Sequence, residues 1–573
     1  MSPALRQLIA MPLLAAALAA CGGGTVPVTG GDPPSSGGSS SSGSGSSSSS
    51  GTSSSSGISS SSGSGGAAKT DVLTYHYNAM RSGENLTETV LTPANVTSAT
   101  FGKLRMLSAD GLVDAAPLVV TDLTFAGVLH SNVVYIATEH DSVYAYDADT
   151  GGTPLAQVSL LGSGEVTSDA RGCDQVMPEI GITATPVIDR SAGPNGTIFV
   201  VAMSKKTVSG TTTYIQRLHA LDLVTLQERP SSPVVIQATY PGAAGAFVPA
   251  NYKERGALLL QQGQIYTSWA SHCDYPPYNS WIIAYNESSL AQTAVLDLTP
   301  NATGGDNGGI WDVAGLAVDS TGAFYTLIGN GQFDTTLTGA GFPNQQDYGN
   351  TAVKLTQAGS TLTVSDYFAT SNTVTQSQND TDLGSGSPLL IADQVDAGGI
   401  TRQLMLAVGK DASLYLLDRQ DMGKFNVNGN TIYQQINGAL GGGSFSAPVY
   451  FNGSIYLAGV GTPLKQFKFA QALLPTSATS QSAASFSFPG TSASISANGT
   501  ANGIVWAAES NAGSAAVLHA YNPANLAVEY YNSNQAANGR DSYGNGNKFI
   551  TPVVANGMVF VGTPNGVAVF GLL

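Results

Sequence analysis

Val133–Gly151, VVYIATEHDSVYAYDADTG, constrains the fold of this chain more than any other stretch. Two apolar runs, Val133–Thr138 and Ser142–Tyr146, flank a tight polar turn, and the second ends in the Asp- and Gly-rich segment Asp147–Gly151. Alternating β-branched and aromatic residues between turn signals predict two neighbouring strands of an antiparallel meander. The unit recurs, each time led by a short apolar strand: Ala116–Val120, Thr185–Asp189, Gly256–Leu260, Leu316–Asp319, Ser387–Ile391, Ala447–Tyr450, Ser494–Ala497 and Thr551–Val554. A repeat of ~50–70 residues matches one four-stranded propeller blade with variable loops. A further strand, Lys103–Leu107, precedes the first unit, and the chain stops just after the third strand of the eighth. Pairing the two closes a ring and removes both exposed edges. The expected fold is all-β, an eight-bladed β-propeller of four-stranded antiparallel blades over residues 69–573.

Composition agrees with short strands and tight turns: among 573 residues, 68 are Gly and only 10% are charged. A net charge of -16 argues against nucleic acid, which demands clustered Lys and Arg.

The N-terminus carries a different message. Arg6 precedes the apolar run Leu8–Ala20, which is too short to span a bilayer and reads as a secretory signal over residues 1–20. Leu18-Ala19-Ala20-Cys21 resembles the bacterial lipobox. That resemblance implies acylation of Cys21, attachment to a membrane, and, with Gly following the cysteine, sorting to the outer membrane. Residues 21–68, nearly all Ser, Gly and Thr, cannot bury apolar surface and are expected to form a disordered tether. Cys173 and Cys273 remain, an even pair in a chain read as exported, and point to a disulfide, with two buried free thiols as the alternative.

The repeated small-Pro-apolar entry followed by VYIAT and DSVYAYDADTG resembles the pyrroloquinoline-quinone (PQQ)-type propeller of the quinoprotein alcohol dehydrogenase-like superfamily. More narrowly, Val72–His76, Thr138–Ser142, Pro178–Gly181, Gly329–Gly331 and Leu416–Arg419 are similar to segments of exported bacterial quinone-repeat propellers. The resemblance implies fold rather than activity, because this architecture serves enzymes and scaffolds alike.

In such a blade, the loop between the second and third strands shares one face with the crossover to the next blade. The loops supply Glu139, His140, Asp141, His272, Asp274, Asn330, Asp334, Lys410 and Asp411. The crossovers supply Asp114, Glu179, Arg255, Trp311, Asp312 and Asp382. Polar residues at hairpin tips are turn formers by default. Lys410 and Asp411 are adjacent and suited to pair with each other, and His272 flanks the expected disulfide. Glu139-His140-Asp141 is richer than a turn requires, and Glu179 opens an apolar strand where a carboxylate must find a partner. Asp147–Gly151 resembles the start of a calcium loop but lacks the remaining ligands and lies at the other face.

Three functions follow as expectations. The first is a non-catalytic binding or scaffold propeller taking a protein partner, a small molecule or a sugar on this face. It is favoured because the chain has no Cys-x-x-Cys-His for haem, no adjacent cysteines and only four Trp, Trp269, Trp281, Trp311 and Trp506. The second is a PQQ- and calcium-dependent dehydrogenase of an alcohol or sugar. Glu179, Asp312 and Asn330 would then hold Ca²⁺, Asp141 or Asp334 would act as general base, and Trp311 would stack on the cofactor. The third is polysaccharide binding or cleavage, prompted by the tether and by Tyr275, Tyr278 and Trp281.

Overall fold

A computed structural model describes residues 69–573 apart from 174 and 305. The signal, Cys21 and the tether lie outside the described residues. Eight sheets of four or more strands are the eight blades. Blade 1 runs Leu118–Phe125, Val128–Ala137, Ser142–Asp147 and Ala156–Ser159, each strand antiparallel to the one before. The same meander begins at Val187–Asp189, Leu259–Gln261, Ala317–Val318, Leu389–Leu390, Val449–Phe451, Ser494–Asn498 and Val553–Ala555 in blades 2 to 8.

Blade 8 takes its outermost strand from the other end of the chain: Phe101–Ser108 pairs antiparallel with Gly566–Leu572. Among the described residues no helix is long and apolar enough to cross a membrane.

Second strands read as continuous apolar runs because both of their faces are covered. Successive side chains of a strand point to opposite faces, and Val133, Val134, Tyr135 and Ile136 are all buried. The core therefore lies in layers between blades. Phe199 and Leu218 of blade 2 pack with Ile265 and Trp281 of blade 3, and Leu404 and Leu416 of blade 5 pack with Ile455 and Phe467 of blade 6.

The segment from Val72 to Asn85 enters the central channel and joins the innermost strands to one another. Val72 exchanges backbone bonds with Val119 at 2.8 and 3.0 Å, and the Ile188, Val318, Tyr450 and Ile495 N–H groups donate to the carbonyls of Leu73, Ala79, Ser82 and Gly83. Glu84–Asn85 then runs parallel to Ile495 and Ser496. Inner strands of a propeller leave backbone groups facing the channel, and this plug supplies partners that water would otherwise provide. Gly83 is required at its place: its φ is +76°, and a Cβ would lie 2.2 Å from Val449 Cγ1.

Blade 7 carries a charge-assisted triad around a buried histidine. His519 Nδ1 lies 2.6 Å from Glu529 Oε1, and Nε2 lies 3.1 Å from Glu509 Oε1. Burial alone would lower the imidazole pKa, but the two carboxylates outweigh it and hold it above the usual value. A raised folded-state pKa contributes stability that is complete below the unfolded value of about 6.5 and is lost as pH rises through the folded one. His519→Gln is therefore expected to cost stability at pH 6 and progressively less towards pH 9, read as the difference in thermal midpoint from the parent. A pH-independent difference would show that packing, not charge, is what His519 contributes.

The candidate site at the channel mouth

Inner strands approach the channel with period-2 geometry, so residues one and three before the proline position of each entry strand point the same way. The residue one before is small because neighbouring strands converge there: Thr185 Oγ1 accepts the Ala116 N–H at 2.9 Å, and Ser492 Oγ accepts the Ala447 N–H at 3.0 Å. The residues three before are Asp114, Thr183, Arg255, Val313, Ser385, Phe445, Gly490 and Phe549 in blades 1 to 8. Arg255, Ser385, Phe445 and Phe549 line an open cavity of about 450 Å³ at the mouth. Arg255 and Phe549, with Asp114 and Thr183, also line a void of about 20 Å³ below it, against Tyr75 of the plug.

One wall of the cavity is aromatic. Phe488 meets Phe445 edge-on at 5.3 Å and Phe549 edge-on at 6.0 Å. The Arg255 guanidinium lies 3.6 Å from the Phe549 ring centroid, a cation–π contact that fixes both side chains. Trp311 adds a further ring to the lining. It lies against the Cα of Gly329, where a Cβ would come within 2.2 Å of Trp311 Cδ1.

Part of the polar lining is paired. Lys410 Nζ sits 2.7 Å from Asp382 Oδ1 and also contacts Asp380. Burial would lower the Lys410 pKa, but Asp382 and Asp380 more than offset it. Asn330 Nδ2 donates to Asp380 Oδ1 at 3.3 Å, and the Tyr278 hydroxyl donates to Asp274 Oδ1 at 3.0 Å.

Beneath Arg255 lies a buried cluster of two acids and two bases. Glu139 Oε2 accepts the Gly181 N–H at 2.8 Å and the Thr183 hydroxyl at 3.1 Å. Burial first, and the Asp114 carboxyl second, push its pKa well up. Burial also raises the Asp114 pKa, against hydrogen bonds that include one from Asn547 Nδ2 at 2.7 Å. Burial and the like charge of Arg255 bring Lys253 down to about 8, and burial brings Arg255 down to about 10. Asp312, raised to about 7 by burial, accepts the Gly315 N–H at 2.7 Å.

Of the residues expected on this face, Arg255, Asp274, Trp311, Asn330, Asp382 and Lys410 line the cavity. The others are elsewhere or below it. Glu139 and Asp141 are fully buried, not presented to a partner. Asp141 has a φ of +55° and neither carboxyl oxygen is hydrogen-bonded to the described residues. His140, half-exposed, places Nδ1 2.9 Å from both Glu179 oxygens, and Thr167 donates to Glu179 at 2.8 Å; this trio lies outside the cavity lining. Asp334 caps a turn through the Thr336 and Gln345 N–H groups, also outside it. Lys410 and Asp411 do not pair: Asp411 Oδ2 accepts Tyr415 and Gln376. His272 is buried, brought down to about 4 by burial, and bonds Ala170 O through Nε2 at 3.1 Å. Beside it Cys173 and Cys273 are bridged, with Cα atoms 6.1 Å apart.

Phe445, Phe488, Phe549 and Asp380 escaped the sequence reading. The three-before-proline register would have found Phe445 and Phe549; nothing local marks Phe488.

The buried Asp141 gives a pH prediction. Burial first, then Glu179 and Glu165, push its pKa well above the usual carboxyl value. A group that binds its proton more tightly when folded makes stability fall as pH rises above the unfolded value. Asp141→Asn is expected to raise the thermal midpoint at pH 7 and to leave it unchanged below about pH 4. A lower midpoint at pH 7 would mean that the carboxylate is charged and satisfied.

The donor set does not fit a calcium–quinone centre. Among the described residues no three His, Cys, Asp or Glu side chains are grouped to hold a metal. Glu179 is bonded to His140, Asp312 accepts the Gly315 N–H and Asn330 is bonded to Asp380, and of the three proposed ligands Asn330 alone lines the cavity.

No protein-family model and no curated protein matches the chain. Solved structures do. The quinohemoprotein alcohol dehydrogenase of Comamonas testosteroni is similar with a TM-score of 0.56 and 14% identity, over 88% of this chain and 81% of that one. The quinohemoprotein alcohol dehydrogenase ADHIIG of Pseudomonas putida is similar with a TM-score of 0.54 and 13% identity, over 88% and 80%. At this identity the likeness is one of architecture. The chain has the PQQ-type β-propeller fold of the quinone-dependent alcohol dehydrogenases.

Proposed function

We propose that the protein is a non-catalytic binding propeller of the cell envelope, taking its ligand or partner at the channel mouth. The observation that carries this reading is the mouth itself: an aromatic-walled cavity in which Lys410 is paired with Asp380 and Asp382, Arg255 lies on the Phe549 ring, and, among the described residues, no acidic groups are gathered around a metal position. The carboxylates of the lining are engaged, Asp380 and Asp382 by Lys410 and Asp274 by the Tyr278 hydroxyl, and Glu139 below is held by Gly181 and Thr183. The anchor belongs to the same proposal: acylation at Cys21 attaches the chain to the outer membrane. Palmitate labelling that disappears in Cys21→Ala is the expected result, and labelling that persists would overturn the anchor.

The dehydrogenase reading keeps one supporting observation, the Asp114 and Glu139 carboxyls, both pushed up by burial, near Arg255 in a fold used by quinone enzymes. Calorimetric titration of PQQ with and without Ca²⁺, alongside dye-linked oxidation of alcohols and sugars, separates the two. No heat and no turnover are expected. Stoichiometric Ca²⁺-dependent binding with turnover would replace the binding reading by the enzymatic one.

A further inference from the structure

The chemistry of the mouth narrows the ligand class. The inference rests on the reading of this cavity as a binding site. Three cations, Arg255 and Lys410 of the lining and Lys548 beside Phe488, face three acidic side chains, Asp274, Asp380 and Asp382. An anionic ligand would meet no surplus of positive charge, and the chain as a whole carries -16. A cationic ligand fares no better, because each phenyl ring already has a cation of the chain beside it. Arg255 lies 3.6 Å from the Phe549 centroid, Lys548 5.8 Å from that of Phe488, and Lys410 5.9 Å from that of Phe445. Those charges repel an ammonium from the faces that would otherwise cage it.

A neutral ligand with an apolar face and many hydroxyl groups remains. Phe488 is 39% exposed, so an apolar ring face can cover it. Beside it stand a carboxylate acceptor at Asp380, an amide with both donor and acceptor at Asn330, and an ammonium at Lys410. Hydroxyl groups both donate and accept, and so can bond to all three. The cavity, about 450 Å³, is within the ~300–1,000 Å³ range of small-ligand pockets.

We propose that the channel mouth binds a neutral saccharide, one ring stacked on Phe488 and its hydroxyl groups bonded to Asp380, Asn330 and Lys410.

The test titrates the purified full-length chain with neutral trisaccharides of glucose, mannose, galactose and N-acetylglucosamine. A uronic acid trisaccharide, choline and PQQ with Ca²⁺ serve as charged comparators. Calorimetry and tryptophan fluorescence report binding. At least one neutral trisaccharide is expected to bind with a Kd of about 1 mM or tighter. Phe488→Ala is expected to weaken it about tenfold, Phe488→Trp to retain it, and neither to move the thermal midpoint, because the ring is partly exposed. Absence of neutral saccharide binding at about 10 mM would overturn the inference. So would an affinity unchanged in Phe488→Ala and Trp311→Ala. Choline or the uronate binding alone, with loss in Phe488→Ala, would overturn the saccharide class while leaving the binding site in place. PQQ binding with turnover would remove both.

Discussion

Arg81→Met will lower the stability of the propeller by about 3–5 kcal/mol, the cost of removing a charged donor from a buried, bonded position. Arg81 is 1% exposed. Nε donates to Leu316 O at 3.1 Å, Nη1 to Thr74 Oγ1 at 2.7 Å and Tyr75 O at 3.0 Å, and Nη2 to Leu258 O at 3.0 Å. Methionine fills much of the volume but leaves those carbonyls buried without a donor, and Asp312 without the nearby cation that favours its ionised form. Burial lowers the Arg81 pKa only to about 10, so the guanidinium is charged at neutral pH. Urea unfolding followed through the buried tryptophans Trp269, Trp281 and Trp506 measures the loss. A change below about 1 kcal/mol would mean that the plug rests in the channel without holding the inner strands together.

The second large effect concerns the bridge between Cys173 and Cys273. It closes a loop with a sequence separation of 100 and ties the crossover before blade 2 to the second-to-third-strand loop of blade 3. Replacing both cysteines by serine is expected to cost ~2–4 kcal/mol, with the chain-entropy account setting an upper guide near ~4.7 for a loop of this length. The site should respond as well. Gln175 follows Cys173 by two positions and Asp274 follows Cys273 directly, and both line the cavity. Ligand affinity at the mouth should therefore fall in the double variant at temperatures where it is still folded. Unchanged stability on reduction of the parent protein would show that packing around His272 and Tyr275 already fixes this wall.

Much of the architecture was legible in the sequence because it depends on local pattern. The apolar run Val133–Thr138 and the small-Pro entries at Ala116, Thr185, Ser387, Ala447 and Thr551 mark strands through composition and turn chemistry. The blades follow from the period at which those marks recur. The site was less legible, and Glu139 and Asp141 show why. Polar residues at a hairpin tip read as exposed, but the crossover of the next blade lies over this tip, with Gly181 and Thr183 bonded to Glu139. Residues some 40 positions apart decide that burial, and no local signal carries it. Phe445, Phe488 and Phe549 fail in the opposite sense: a phenylalanine beside an apolar strand reads as core, and these three open onto the mouth.

The sequence by itself determined the class of fold, the number of repeats and the face on which blade loops and crossovers gather. Each of these is set by strand periodicity and turn residues within about fifty positions. Only the tertiary structure decided which polar side chains remain accessible and which carboxyls are buried in the interior. It alone placed Val72 to Asn85 in the channel, where Asn85 bonds to Val554 O, 469 residues away. The physical reason is that burial and charge pairing are properties of neighbours in space, and closing a ring brings together residues that no spacing along the chain relates.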